Sequence, residues 1–271
     1  MLKTRVMTAV IGAAALAVCI SFGGVAFAGL VMILTILGLS EYGVIIRAMK
    51  MKLAILPMLL FLILVLGAIS WENYAVAAAL WLLSMFVFCA EYLRGGLKFG
   101  SFGISIFGYN YLLFGFGSLL LLRTDYFYDR IGVAFGEYSL GMYIIWFLFL
   151  GTWASDTFAY FGGSKYGKRR IVPSISPNKT LEGFIAGFLG TVVTGFVYGA
   201  VFGLPILFCA GLSALIGIVA PVGDLFESKL KRVAGIKDSG QLLPGHGGVL
   251  DRFDSLLFVA PTVLFYVFMF I

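Results

Sequence analysis

An all-α, polytopic integral membrane protein with about nine transmembrane helices is what this sequence predicts, and three observations carry the prediction. Of its 271 residues 61% are hydrophobic and 12% are charged, against about 25% charge in soluble domains. Its mean hydropathy is +1.05. The apolar residues fall in runs close to the roughly 20 residues that a helix needs to cross the hydrocarbon. A soluble chain of this length would need a polar exterior, and the long uncharged stretches leave it none. The exterior therefore faces lipid.

Charges and clusters of Gly, Pro and Asn divide the chain into approximate spans at 5–23, 25–46, 53–70, 74–93, 103–122, 138–161, 183–203, 204–226 and 254–271. In the first, Lys3 and Arg5 before an apolar run and Ala26-Phe27-Ala28 after it also fit a signal peptide with its cleavage site. Charge argues for a retained span. With nine spans and a cytoplasmic N-terminus, all of the 19 Lys and Arg residues except Arg123 and Arg130 fall on the cytoplasmic side, as the positive-inside rule requires. Losing one middle span would scramble that bias. Spans two to five are read from hydrophobicity alone. The connection before the sixth, with Tyr126, Phe127, Tyr128 and Tyr138, reads as an interfacial aromatic belt. The seventh carries Gly183, Gly187 and Gly190, spaced for close helix packing.

No internal repeat or low-complexity linker appears, so residues 1–271 read as one membrane domain, with N-terminal spans over 1–137 and a catalytic part over 138–271. The latter has two long cytoplasmic loops, 162–182 and 227–253. Its active site is expected on the cytoplasmic side of the inner membrane.

Some chemistries are excluded early. Cys19, Cys89 and Cys209 each lie within an apolar run without paired spacing, so neither a zinc site nor a disulfide framework is expected. A single His rules out a multi-histidine metal centre. The net charge of +6 reflects topology and anionic headgroups; without a soluble basic domain, nucleic acid is not an expected partner.

Carboxylates remain. Asp224 ends the eighth span and Asp251 and Asp254 begin the ninth, so topology brings all three to one side. Asp156, within Trp153-Ala154-Ser155-Asp156-Thr157, lies well inside the sixth span and needs a counter-charge. Acids facing the cytoplasm without a His or Cys cluster describe an oxygen-ligand site suited to Mg²⁺, which usually arrives with phosphate. Lys229, Lys231, Arg232 and Lys237 precede Pro244-Gly245-His246-Gly247-Gly248, whose glycines let backbone N–H groups approach an anion. His246 could donate a hydrogen bond, accept a proton or contact phosphate. The stretch is not a Walker motif, since the required lysine and hydroxyl residue do not follow. In the other loop, Ser176-Pro177-Asn178-Lys179-Thr180-Leu181-Glu182 runs into the seventh span, with Ser176 before Pro177 as the expected helix start.

The order Ser228, Leu230, Lys231-Arg232, Lys237-Asp238, Gly240, Leu243-Pro244, His246-Gly247-Gly248, Val249, Asp251-Arg252, Phe253 and Asp254 resembles the signature of the CDP-diacylglycerol synthases, or phosphatidate cytidylyltransferases, without departure. The resemblance covers residues 150–255. It implies a homodimeric, Mg²⁺-dependent membrane enzyme that joins CTP to phosphatidic acid with release of pyrophosphate. On that resemblance Asp224 and Asp251 are expected as metal ligands. Lys179, Lys231, Arg232, Lys237 and Arg252 are expected on phosphates, and Asp156, Asp238 and Asp254 as groups that order those bases or hold a second cation. Ser176, Asn178, Thr180 and Glu182 are expected to line the substrate site. The rivals are another CTP-dependent lipid enzyme, of polyprenol kinase or CDP-archaeol synthase type, and an ion-coupled secondary transporter.

Overall fold

The structure, a computed structural model, describes residues 2–124, 139–240 and 247–270, without the side chains of residues 2–6 and 9. Among these residues the architecture is nine helices: α1 Leu2–Phe22, α2 Gly24–Ala48, α3 Ile55–Ser70, α4 Tyr74–Leu93, α5 Phe99–Arg123, α6 Leu140–Tyr166, α7 Leu181–Phe202, α8 Ile206–Ala234 and α9 Leu250–Phe270. Seven, α2 and α4 to α9, are long and apolar enough to cross a membrane; α1 contributes the shorter apolar stretch Val10–Phe22, and α3 has 16 residues. The chain is a polytopic all-α membrane protein. The expected aromatic belt at Tyr126–Tyr128 and Tyr138, with Arg130, lies outside the described residues.

The apolar runs pack around α5, which contacts α2, α3 and α9, while α6, α7 and α8 form a second group joined to the first through α9. Polar contacts show which helix ends share a face of the bundle. At one end Arg123, closing α5, donates through Nε to the Ile20 carbonyl at the end of α1 at 2.8 Å. At the other, Tyr42 near the end of α2 donates to the Ile104 carbonyl in the second turn of α5 at 2.9 Å. The start of α9 joins this second end through the Val249 and Leu250 N–H groups, which donate to Glu41 of α2, and ion pairs of Lys231 with Asp251 and of Lys179 with Asp224 bring the end of α8 and the start of α7 to the same place.

Small residues set how closely the helices approach. A Cβ on Gly187 would lie 2.8 Å from the Ser155 carbonyl and one on Gly183 2.9 Å from the Ala159 carbonyl, so this glycine face of α7 seats the backbone of α6. A Cβ on Gly223 would stand 2.7 Å from the Asp254 carbonyl and 2.9 Å from the Ser255 Cα, both backbone atoms of α9. That contact brings Asp224, the next residue, against α9. The rings of Phe107, Phe226 and Phe258 surround Tyr111 at centroid separations of 5.6–5.9 Å, an aromatic cluster that joins α5, α8 and α9.

Several boundaries differ from expectation, for one reason: charge ends a hydrophobic span without ending a helix. α8 continues past 226 through Glu227-Ser228-Lys229-Leu230-Lys231-Arg232, supported by the Glu227–Lys231 pair one turn apart. It stops at Gly235, whose φ of 71° is a left-handed conformation that favours a residue without a Cβ. α9 begins at Leu250, so the expected loop 227–253 is helical at both ends, and loop 162–182 is helical through Tyr166. The start of α7 is also corrected. Thr180, not Ser176, is the N-cap, its Oγ1 accepting from the Gly183 N–H at 3.2 Å. Ser176 instead lies in a turn, its own N–H donating to the Val172 carbonyl.

Since only backbone faces Gly223, Gly223→Val has no flexible neighbour to displace. It should lower the thermal unfolding midpoint in detergent, with a stability loss of about 1–3 kcal/mol, whereas Gly12→Val, at a position with nothing within 4 Å, should leave the midpoint near wild type.

Candidate active site

The C-terminal turns of α8 present Asp224, Glu227, Ser228 and Lys231 along one stripe, three and four residues apart. Asp224 Oδ2 pairs with Lys179 Nζ at 2.5 Å, and its Oδ1 accepts from the Ser228 hydroxyl at 3.2 Å. One turn on, Lys231 Nζ stands between two acids, at 3.1 Å from Glu227 Oε2 and 2.5 Å from Asp251 Oδ1. The second oxygen of Asp251 accepts from the Gly248 N–H at 2.8 Å and the Ser239 N–H at 3.1 Å. Gly247, at φ 84°, takes the left-handed conformation in the turn that leads into α9.

Asp254, one turn further along α9, and Asp156, from α6, both lie within the field of Asp224. The Asp254 carboxyl faces that of Glu227, which also feels Asp251. Five carboxyl groups thus gather around two ammonium groups. Glu227 is 1% exposed, and its Oε1 has no donor among the described residues. The Tyr111, Ser155 and Ser255 hydroxyls are buried nearby in sequence or space with no partner among those residues. Facing carboxyls in a low dielectric require a shared proton or a cation between them. The donors are all hard oxygens. No three acidic, His or Cys side chains among the described residues are arranged to ligate one ion by themselves. An ion that takes one or two carboxylates and completes its shell with water and phosphate oxygens suits such a set.

The remaining expected residues divide by what they touch. Arg170 and Thr180 form an antiparallel bridge, and the Ile171 N–H donates to the Lys179 carbonyl at 3.0 Å, so residues 169–181 make a small hairpin that delivers Lys179 to Asp224. Glu182 fastens its base: Oε2 accepts from the Lys168 and Arg169 N–H groups at 2.9 and 3.1 Å. The Arg232 Nε donates to the Ile175 carbonyl at 3.4 Å, tying the end of α8 to the hairpin turn. Asn178, Lys237, Asp238 and Arg252 are exposed around this group, and Ser176 is half-buried in the turn. His246 lies outside the described residues.

Sequence reasoning missed two acids. Glu227 is three residues from Asp224 and four from Lys231, a helical spacing that already put it on their face. Glu41, in the apolar run of α2, is 2% exposed and accepts from the Val249 and Leu250 N–H groups, both at 2.8 Å, and from the Ser239 hydroxyl at 3.1 Å. The signal for it was the same one that singled out Asp156: a charge inside a span costs about 2.5–3.5 kcal/mol on the insertion scale unless it has partners.

Residues 3–270 match the cytidylyltransferase family. A phosphatidate cytidylyltransferase of Thermotoga maritima is 50% identical over 118 residues, 41% of this chain and 44% of that protein. One of Staphylococcus aureus is 43% identical over 127 residues, 46% of this chain and 49% of that protein. These matches span about half the length of those relatives. A phosphatidate cytidylyltransferase of Bacillus subtilis is 32% identical over 279 aligned positions that cover 97% of both chains. With a family match over nearly its whole length and a relative aligned end to end, the chain belongs to the cytidylyltransferase family.

Proposed function

We propose that this chain transfers CMP from CTP to phosphatidic acid, forming CDP-diacylglycerol and pyrophosphate for phospholipid synthesis. The observation that carries the reading is the gathering of the signature acids and lysines at one end of α8 and α9, where a lipid headgroup and a water-borne nucleotide can meet. The end-to-end likeness to a phosphatidate cytidylyltransferase supports the choice of substrates.

A phosphate oxygen of phosphatidate attacks the α-phosphorus of CTP; the new P–O bond forms as the bond from that phosphorus to the β-phosphate oxygen breaks, and pyrophosphate leaves. No covalent enzyme intermediate is needed. In such a transfer, alignment and charge neutralisation outweigh any single general base. Lys179 and Lys231, held by Asp224, Glu227 and Asp251, supply fixed positive charge, and Arg232, Lys237 and Arg252 supply exposed cations for phosphates arriving from the aqueous side. Asp156, Asp238 and Asp254 orient those bases or hold a second cation. His246 donates to or accepts from a phosphate oxygen. Ser176, Asn178, Thr180 and Glu182 act chiefly by shaping the hairpin that carries Lys179. Asp224 and Asp251 would hold Mg²⁺, with Glu227 beside them; the ion would neutralise phosphate charge and orient the triphosphate. The lone pairs left on the Asp224 and Asp251 oxygens and the donor-less Glu227 Oε1 support that assignment.

In this reading all nine helices cross the inner membrane as one domain, with the N-terminus and both signature-bearing connections in the cytoplasm, as the basic-residue bias supports. The family resemblance adds a homodimer.

Three measurements test these statements. Purified full-length protein, given phosphatidate and CTP labelled at the α-phosphate, should yield lipid-linked CMP and pyrophosphate in equal amounts and lose turnover when Mg²⁺ is chelated; transfer of the γ-phosphate alone would make it a lipid kinase. Asp224→Asn keeps the size of a side chain that is one-third exposed, so it should remain folded while turnover falls at least about a hundredfold; retained turnover at saturating Mg²⁺ would remove Asp224 from the site. In a variant lacking Cys19, Cys89 and Cys209, a cysteine at position 72 should react with an impermeant thiol reagent on intact cells and one at position 178 only after permeabilisation. The opposite pattern would invert the topology.

A further inference from the structure

Glu41 belongs to α2, far from the signature in sequence, yet the donors to its carboxylate all come from the signature segment. Three donors converge on it: the Val249 and Leu250 N–H groups that open α9, each at 2.8 Å, and the Ser239 hydroxyl at 3.1 Å. Ser239 is fully buried and Glu41 is 2% exposed. Gly240 and Gly248 lie against the same carboxylate, where a Cβ on Gly240 would come within 2.7 Å of Oε1. The opening N–H groups of a helix lack intrahelical acceptors and carry its positive dipole end, so a carboxylate there is favourable. α9 has this anion supplied from 208 residues away.

The contacts of Asp251 make the arrangement reciprocal. Its Oδ2 takes the N–H of Ser239, whose hydroxyl goes to Glu41, and the N–H of Gly248, the residue before the two N–H groups taken by Glu41. Two carboxylates therefore grip the same two stems, at residue 239 and at residues 248–250. We infer that Glu41 is a positioning residue of the active site, an anion donated by the N-terminal helices that joins the two stems of the signature segment and so fixes where Asp251 and Lys231 stand. The inference rests on the proposed reaction for its kinetic consequence and on the hydrogen bonds alone for its structural one.

The test uses Glu41→Gln in the full-length protein. A carboxamide fills the same space but offers one acceptor oxygen where three donors converge and turns an N–H₂ toward the others. Hydrogen–deuterium exchange of the segments containing Ser239 and Val249–Leu250 should accelerate about tenfold or more, as expected for loss of hydrogen bonds to a charged acceptor. At saturating CTP, kcat should fall at least about tenfold while the KM for CTP changes less than about threefold, since an interaction that holds the reacting geometry acts on the chemical step. Ser239→Ala, which removes only the hydroxyl contact, should move both readouts the same way by a smaller factor, and it decides the matter if Glu41→Gln does not fold. Thr35→Val, a buried change on the same helix whose hydroxyl donates to the Val31 carbonyl one turn back at 2.8 Å, should alter neither. Unchanged exchange in a folded Glu41→Gln protein would overturn the clamp, and accelerated exchange with wild-type kcat would reduce Glu41 to a structural cap. Wild-type protein that makes no lipid-linked CMP would defeat the proposed reaction, and the exchange comparison would still decide the clamp.

Discussion

Lys231 stands between carboxylates of two different helices, and the C-terminal part of the molecule is arranged to keep that contact intact. Its ammonium group meets Glu227 one turn back on α8 and Asp251 in the first turn of α9, with both acids largely withdrawn from solvent. Removing one member of such a buried set typically costs about 3–5 kcal/mol, because the remaining charge is left without water or a partner. The ion pair therefore cannot be optional once the helices pack. It fixes the azimuth of α8 against α9, and with it the direction in which Asp224 and Asp254 look.

The neighbouring features follow from supporting that contact. Gly223 removes the side chain that would hold α8 away from the Asp254 and Ser255 backbone. The α7 glycines do the same against α6, which brings Asp156 toward Asp224. The hairpin at 169–181 delivers a second lysine to the acid group, held by Glu182 at its base and by Arg232 at its turn. Tyr111 and its ring of phenylalanines join α5, α8 and α9. The result is a layer of charged side chains at one end of a bundle of apolar helices, which in the proposed reading has hydrocarbon on one side and water on the other. On the proposed function, a phosphate-bearing lipid and a nucleotide would share that boundary without either crossing the membrane.

Glu41 gives the N-terminal helices a part in this layer. Their sequence shows little beyond hydrophobicity, and α4 is only lightly buried, which suits helices that mainly face lipid. α2 differs in carrying a carboxylate to the opening turn of α9. A cap supplied from a distant helix makes the geometry of the signature segment depend on the packing of α2 against α5 and α9, so the two halves of the chain form one functional unit.

Much of this was legible in the residues themselves. Hydropathy runs and the one-sided placement of Lys and Arg yield an all-helical membrane protein with its acids at one end, because the bilayer admits few alternatives and lengths are set by its thickness. The signature identified the family because its charged residues occur at fixed spacing within an apolar chain that otherwise avoids charge. Helix ends were less legible: α8 runs two turns beyond its apolar stretch, since backbone hydrogen bonding continues after hydrophobicity stops, and the Thr180 cap was hidden by the more conspicuous Ser176-Pro177. The pairings could not be read at all. That Lys231 takes Asp251 while Lys179 takes Asp224, and that Glu41 reaches across 208 residues to Val249, depends on helix rotation and crossing, which short-range sequence patterns leave open and only the packing of side chains against glycine faces decides.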